Sequence, residues 1–147
     1  MRAFHLQKQE LVAKLVSGAG TVVSMAVHPM GDHLILGTSA GRIEWFDLDL
    51  SGKPYRVIRS HSSTVESVSF HTTLPLFASA SDDGHCHVFH GRVHEDLATP
   101  PTIVPVKVLK PPHAIRDALG ALACAFHPTQ PWLFSAGADG AVRLFVN

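Results

Sequence analysis

The sequence has 147 residues with 12 basic and 12 acidic side chains, so its net charge is close to zero. This balance gives no general electrostatic attraction to nucleic acid or to an anionic membrane surface. Two cysteines, Cys86 and Cys124, do not make a disulfide framework. No apolar run approaches the ~20 residues of a membrane helix. We therefore expect a single domain in a reducing intracellular compartment, without membrane contact.

Three stretches of the chain align without gaps: residues 27–46, 70–89 and 126–145. Each has a histidine at its second position, a glycine in the turn before its last strand and a phenylalanine at its end. Phe4 in the opening "MRAFHL" takes the same place in a partial fourth copy. The closing aromatic residues are therefore Phe4, Phe46, Phe89 and Phe145. Their first two intervals, from position 4 to 46 and from 46 to 89, fall in the range of ~40–45 residues that is typical of repeats that form propeller blades.

In chain order, the repeats predict short strands separated by turn residues. In the second repeat the runs 65–70, 76–80 and 85–90 are rich in β-branched and aromatic residues. Outer strands are predicted at 54–59 and 102–109, and Pro105 restricts the latter to a sheet edge. The last interval between closing aromatics, from position 89 to 145, is the longest, which indicates an inserted surface loop at 91–101.

These elements predict an all-β fold, a partial propeller of about three four-stranded antiparallel blades plus two strands of a preceding blade. The predicted boundaries are 1–20 for the end of the preceding blade, 21–60 for the first blade, 61–110 for the second and 111–147 for a third blade without its outer strand. Such a chain is about half a ring. Because repeat units bury their faces against neighbours, we expect an isolated half ring to be marginally stable or to self-associate.

The segment "SDDGHCHVFHGRVH" at 81–94 raises the possibility of a metal site. His85 and His87 lie two apart on a predicted strand and face the same way. Zinc needs a third and usually a fourth ligand, so we interpret these histidines as structural or exposed and predict no metal ligands. Cys86 is interpreted as a small buried hydrophobic residue. His94 lies in the predicted loop and has no assigned role.

A further set of residues recurs in two of the repeats: His61, Ser79, Asp83 and Phe89 in the second, and His113, Ser135, Asp139 and Phe145 in the third. With these residues the two repeats resemble WD-repeat β-propellers. The resemblance implies a buried network in which histidine donates to aspartate, shortened here because phenylalanine lacks an indole donor. The first repeat has Leu36 and Ala40 at the matching positions and should lack the network. The other interpretation, a hydrolase triad, requires an exposed nucleophile and an oxyanion hole.

Longer strings, among them "WFDLDLSGKPYRVIRSH", "TIVPVKVL" and "FHPTQPWLFSAGADGAVRLF", are similar to the carboxy-terminal repeats of the block-of-proliferation family of eukaryotic ribosome-biogenesis proteins. This resemblance implies a non-enzymatic scaffold, without cofactor, in the nucleus and nucleolus. It would act in large-subunit assembly and precursor rRNA processing. The implied partners are a pescadillo-type protein, a second WD-repeat protein and pre-large-subunit ribosomal particles.

Three alternatives remain from the sequence. The chain could be a WD-repeat adaptor in an unrelated complex, or a truncated product without function. Direct RNA contact is a further possibility, through basic residues near the first repeat and Tyr55 among them. Those basic residues are Arg42, Lys53, Arg56 and Arg59. A solvated strand face is the simpler interpretation of that group.

Overall fold

The computed structural model describes residues 1–50, 52–93 and 101–146. Within these ranges the regular structure is entirely β, with antiparallel strands in four sheets. The predicted all-β class is therefore confirmed. The described residues contain no helix that could span a membrane.

The strands follow the chain order of the repeats. A leading hairpin consists of β1 (Arg2–His5) and β2 (Glu10–Lys14). The first blade contains β3 (Val22–Val27), β4 (His33–Thr38), β5 (Arg42–Asp47) and β6 (Arg56–Arg59). The second contains β7 (Val65–Phe70), β8 (Leu76–Ser81), β9 (Cys86–Arg92) and β10 (Thr102–Val108). The third contains β11 (Ala121–Phe126), β12 (Leu133–Gly137) and β13 (Val142–Phe145).

The predicted loop 91–101 begins too early. Strand β9 continues through Gly91 and Arg92, which pair with Ile103 and Thr102 of β10. Gly91 therefore lies in a strand and not in a turn, and a Cβ at this position would lie 2.8 Å from the ring of Phe77. Glycine instead permits close packing inside a strand. Residues 94–100, including His94, lie outside the described residues.

Alternation along each strand produces a stack of sheets with a core in every gap. On β8, Phe77 faces the first blade, whereas the next residue, Ala78, faces the third blade. The gap between the first and second blades contains the largest aromatic residues, including Trp45, Phe77 and Phe89. The gap between the second and third blades is filled by smaller residues such as Ala78 and Cys86.

The first strands of neighbouring blades are joined by repeated serine contacts. Ser24 donates its hydroxyl to the Val65 carbonyl at 3.1 Å. In the next blade, the Ser67 hydroxyl accepts from the Cys124 N–H at 3.2 Å and lies 3.4 Å from the Cys124 carbonyl oxygen. The two serines stand at the same offset before the closing phenylalanines of their blades. Alanine takes this place in the third blade, at Ala123.

Candidate functional site

The second blade brings His61, Ser79 and Asp83 together at one end of the sheet. His61 follows the first blade, Ser79 lies in the middle of β8, and Asp83 lies in the turn before β9. The Nδ1 atom of His61 is 2.9 Å from the Asp83 carboxylate, and its Nε2 atom is 2.7 Å from the Ser79 hydroxyl. Because Nδ1 donates to the carboxylate, Nε2 is free to accept the hydroxyl proton.

The third blade repeats this geometry with His113, Ser135 and Asp139. The distances are again 2.9 Å from Nδ1 to the carboxylate and 2.7 Å from Nε2 to the hydroxyl. Arg143 adds a second partner, since its Nη2 donates to Asp139 at 3.0 Å. The hydrogen bond from His113, helped by those from two backbone amides and from Arg143, holds the pKa of Asp139 well below its usual range.

Burial determines what these two trios can do chemically. Ser79 has no solvent exposure and Ser135 only 2%, so neither hydroxyl is open to a substrate. The aspartate carboxylates also accept backbone amides, from Ser62 and His85 in one blade and from residues 114 and 141 in the other. Such saturated hydrogen bonding tethers turns to strands and does not leave an activated nucleophile.

The first blade lacks the trio at the matching positions. Leu36 and Ala40 replace serine and aspartate, and Gly18 takes the place of the histidine in the alignment with His61. Glu44 is fully buried in this blade; its Oε1 accepts the Gly18 N–H at 2.9 Å, and its Oε2 has no hydrogen-bond partner among the described residues. A separate contact in this blade joins the Trp45 indole N–H to His33 at 3.3 Å. The blade therefore has other buried polar contacts in place of the network.

A variable position two residues before each closing phenylalanine adjusts the local electrostatics. It is Glu44, His87 and Arg143 in the three blades. The His87 ring lies 4.2 Å from the His61 ring, centroid to centroid. Burial, followed by the nearby His61, lowers the pKa of His87 to about 4. Burial likewise lowers the pKa of His61, although Asp83 opposes the effect. Sequence reasoning missed this position because the three side chains share no chemistry.

The repeated histidines that follow the first strands stabilise turns. His71 Nδ1 accepts the backbone N–H groups of Thr73 and Leu74 at 3.1 and 3.0 Å. His28 and His127 make the same kind of contact with residues 30 and 129. His71 also reaches the third blade, where Nε2 is 3.0 Å from the Gln130 carbonyl. These turn contacts are sufficient to explain why histidine recurs at this position, and no bound ligand is needed to account for it.

The closing aromatic residues differ in burial. Phe46 and Phe89 are buried, and Phe145 packs against the core between the second and third blades. Phe4 is 54% exposed in the leading hairpin. Phenylalanine thus occupies the repeat position in all four copies, but only Phe46 and Phe89 of these four are fully buried.

Metal and thiol chemistry find little support in the described residues. No group of three or more His, Cys, Asp or Glu side chains there is arranged to hold a metal ion. The Asp83 carboxylate accepts a hydrogen bond from His61 at 2.9 Å, whereas the His85 ring lies 3.6 Å from it and hydrogen-bonds the Asp83 backbone carbonyl at 3.0 Å. Burial raises the pKa of the Cys86 thiol to about 11 and that of Cys124 to about 12. Both thiols are therefore poor nucleophiles.

The repeats and their paired networks agree with a comparison against known families. The family described as "WD domain, G-beta repeat" matches residues 52–90 and 105–145, more than half of the chain. The chain belongs to the WD-repeat family. The matched segments contain both histidine networks, and the first blade lies mostly outside them although it forms a complete four-stranded sheet.

Curated proteins share much longer similarity with this WD-repeat chain. "Ribosome biogenesis protein BOP1" of Rattus norvegicus is 55% identical over 145 residues, and that of Homo sapiens is 54% identical over the same length. A "Ribosome biogenesis protein BOP1 homolog" of Chlamydomonas reinhardtii is 50% identical over 147 residues. The alignments cover 99–100% of this chain but 18–20% of the relatives. The chain thus spans about a fifth of the length of these proteins.

Proposed function

We propose that the chain is part of a non-enzymatic WD-repeat scaffold in ribosome biogenesis, acting in large-subunit assembly and precursor rRNA processing. The observation that carries the proposal is the 50–55% identity, over nearly the whole chain, with proteins named for ribosome biogenesis. Similarity at this level extends through residues 1–51 and 91–104, which lie outside the segments that match the general WD-repeat family.

The geometry supports a role in binding and not in catalysis. The polar groups that could have formed a triad are buried and saturated with hydrogen bonds, as at Ser79 and Ser135. A stack of rigid sheets with short turns offers wide surfaces on which other macromolecules assemble. The proposed sites of action are the nucleus and nucleolus.

The proposed partners are protein and ribonucleoprotein. They comprise a pescadillo-type protein, a second WD-repeat protein and pre-large-subunit ribosomal particles. The arginines of the first blade are the residues through which RNA contact would be sought first. Tyr55, 41% exposed, is the aromatic side chain nearest to them in sequence.

Depletion of the chain tests the proposal. Cells are depleted of the protein and pulse-labelled, and the maturation of both rRNA classes is followed on gels. We expect large-subunit rRNA to mature more slowly while small-subunit rRNA continues to form, with rescue by the wild-type gene. Unchanged maturation of both classes would contradict the proposal and favour an adaptor in another complex.

A further inference from the structure

A groove separates the outer strands of the first and second blades. It has a volume of about 280 Å³ and lies between β6 on one side and β9 and β10 on the other. Both β6 and β10 are edge strands of their sheets. The volume lies just below the ~300 Å³ at which small-molecule pockets begin. The groove therefore suits one or two side chains better than a cofactor.

One wall of the groove carries positively charged side chains. Arg56 and Arg59 line it, and Arg59 lies directly opposite Arg42 in the β5–β6 register. None of the three arginines forms an ion pair with another described residue. A carboxylate that enters the groove would be attracted to the two arginines that line it.

The lining of the groove also includes the polar residues Ser60 and His87. The Ser60 hydroxyl is shielded from solvent and has no hydrogen-bond partner among the described residues. His87 faces the same space and is neutral at pH 7, because burial lowers its pKa to about 4. A buried hydroxyl without a partner costs free energy, which a hydrogen bond from a ligand would recover.

The floor of the groove is apolar. Ile58 is half-buried at the centre of β6, and Val108, at the end of β10, is 43% exposed. A site for phosphate alone would not need this apolar surface. RNA readers also present aromatic platforms for bases, whereas the aromatic residue of this groove, Phe89, is only 1% exposed.

We propose that this groove binds a short peptide segment of a protein partner in which an acidic residue stands beside an aliphatic one. The carboxylate lies between Arg56 and Arg59, and the aliphatic side chain packs on Ile58 and Val108. Charge complementarity and the mixed lining select this occupant over RNA. The inference goes beyond the proposed function and holds for any partner with such a segment.

A display experiment tests the groove directly. The protein, as expressed from its own gene, is immobilised and panned with a library of random dodecapeptides. One recovered peptide is then labelled with fluorescein, and its affinity is measured by anisotropy. We expect the recovered peptides to be enriched in Asp or Glu within about two residues of Leu, Ile or Val.

Substitutions locate the binding site. The double variant Arg56→Glu with Arg59→Glu should weaken the peptide by at least about tenfold, and Val108→Asp should weaken it similarly. The matched control is Arg116→Glu, at an exposed arginine outside the groove, which should bind as the wild type does. Thermal unfolding of each variant is measured to check that the substitution leaves the protein folded.

Two results would overturn the inference. One is a set of recovered peptides without acidic enrichment, or with affinities unaffected by the double arginine variant. The other is a uridine dodecaribonucleotide that binds through Arg56 and Arg59 while no acidic peptide does, which would make the groove an RNA surface. Either result leaves the ribosome-biogenesis proposal untouched, because depletion tests that proposal separately.

Discussion

The Gly84 carbonyl accepts the backbone N–H of His113 at 2.8 Å, so the turn of the second blade is fastened to the network histidine of the third. The Gly41 carbonyl and the His61 N–H repeat this contact one blade earlier, at 3.3 Å. The repeated glycine thus does more than permit a tight turn. It brings the backbone of one blade against the histidine that organises the next.

Substitution of Gly84 should therefore be costly. Gly84 has a φ of +85°, and a Cβ there would lie 2.5 Å from the His113 carbonyl oxygen. Gly140 is the matched control, because its φ is +75° but no atom lies within 4 Å of the added Cβ. We expect Gly140→Ala to cost about 1–2 kcal/mol for the φ value alone, and Gly84→Ala to cost about 3 kcal/mol or more. Urea unfolding measures the free energy of unfolding of both variants. Equal losses would contradict a specific role for the contact between Gly84 and the His113 backbone.

Removal of the charge on Asp83 should loosen the second-blade network. Burial alone would raise the pKa of Asp83, but the backbone N–H of His85 and the nearby His61 bring it below its usual value. An asparagine would place an N–H₂ group against N–H donors, leaving one of them unpaired. We expect Asp83→Asn to destabilise the fold by about 2 kcal/mol. Asp117→Asn, in an exposed turn, is the control, and a similar loss there would count against a specific network.

The close contact between the His61 and His87 rings predicts a pH-dependent stability. The folded-state pKa of His87 is about 4, compared with an ordinary value of 6.5. Because the folded value is the lower one, protonation favours unfolding: stability is full above about pH 6.5 and falls as the pH approaches 4. After solvent screening of a half-buried ring, we expect His87 to account for about 1–2 kcal/mol of this loss.

Chemical unfolding at pH 7 and pH 4.5 measures the effect. His87→Gln should reduce the difference in unfolding free energy between the two pH values. His90→Gln, on the other face of β9, should leave the difference in place. An unchanged difference in His87→Gln would show that other groups cause the acid sensitivity.

The exposed face of the third blade predicts self-association of residues 1–147 expressed alone. Val142 is 73% exposed and Leu144 49%. Among the described residues, β13 pairs with β12 alone. An apolar face beside an unpaired strand edge is a template for another copy. In sedimentation experiments the average mass should rise with concentration, and Val142→Lys with Leu144→Lys should suppress the rise. Met30→Lys, in an exposed turn, should not, and a wild-type chain that stays monomeric would refute the expectation.

Much of the fold could be predicted because strand and turn chemistry repeat locally. The histidine, glycine and phenylalanine positions recur at constant offsets, and the trio at His61, Ser79 and Asp83 follows a known pattern. Contacts between blades were harder to predict, since they join residues that are far apart in the sequence. The contacts of Ser24 and Ser67 did leave a signal, because both serines stand at one offset from the closing phenylalanine.

Other features had no pattern in the sequence from which they could be predicted. Glu44 is buried and contacts the Gly18 backbone in the blade that lacks the histidine network, and one sequence does not reveal that contact. Gly91 resembles a loop glycine, yet it lies in a strand, and glycine is required there because the rings of Phe77 and Trp45 leave no room for a Cβ. The groove beside Arg56 depends on the packing of two outer strands. These features are set by tertiary packing, which overrides local preference.

Purification of the endogenous protein tests the central proposal most directly. The protein is tagged at its carboxy terminus, isolated gently and separated on a sucrose gradient, and its companions are identified by mass spectrometry. The account predicts co-sedimentation with large-subunit ribosomal proteins, a pescadillo-type protein and a second WD-repeat protein. A tagged protein that sediments without ribosomal proteins, or in an unrelated complex, would contradict it.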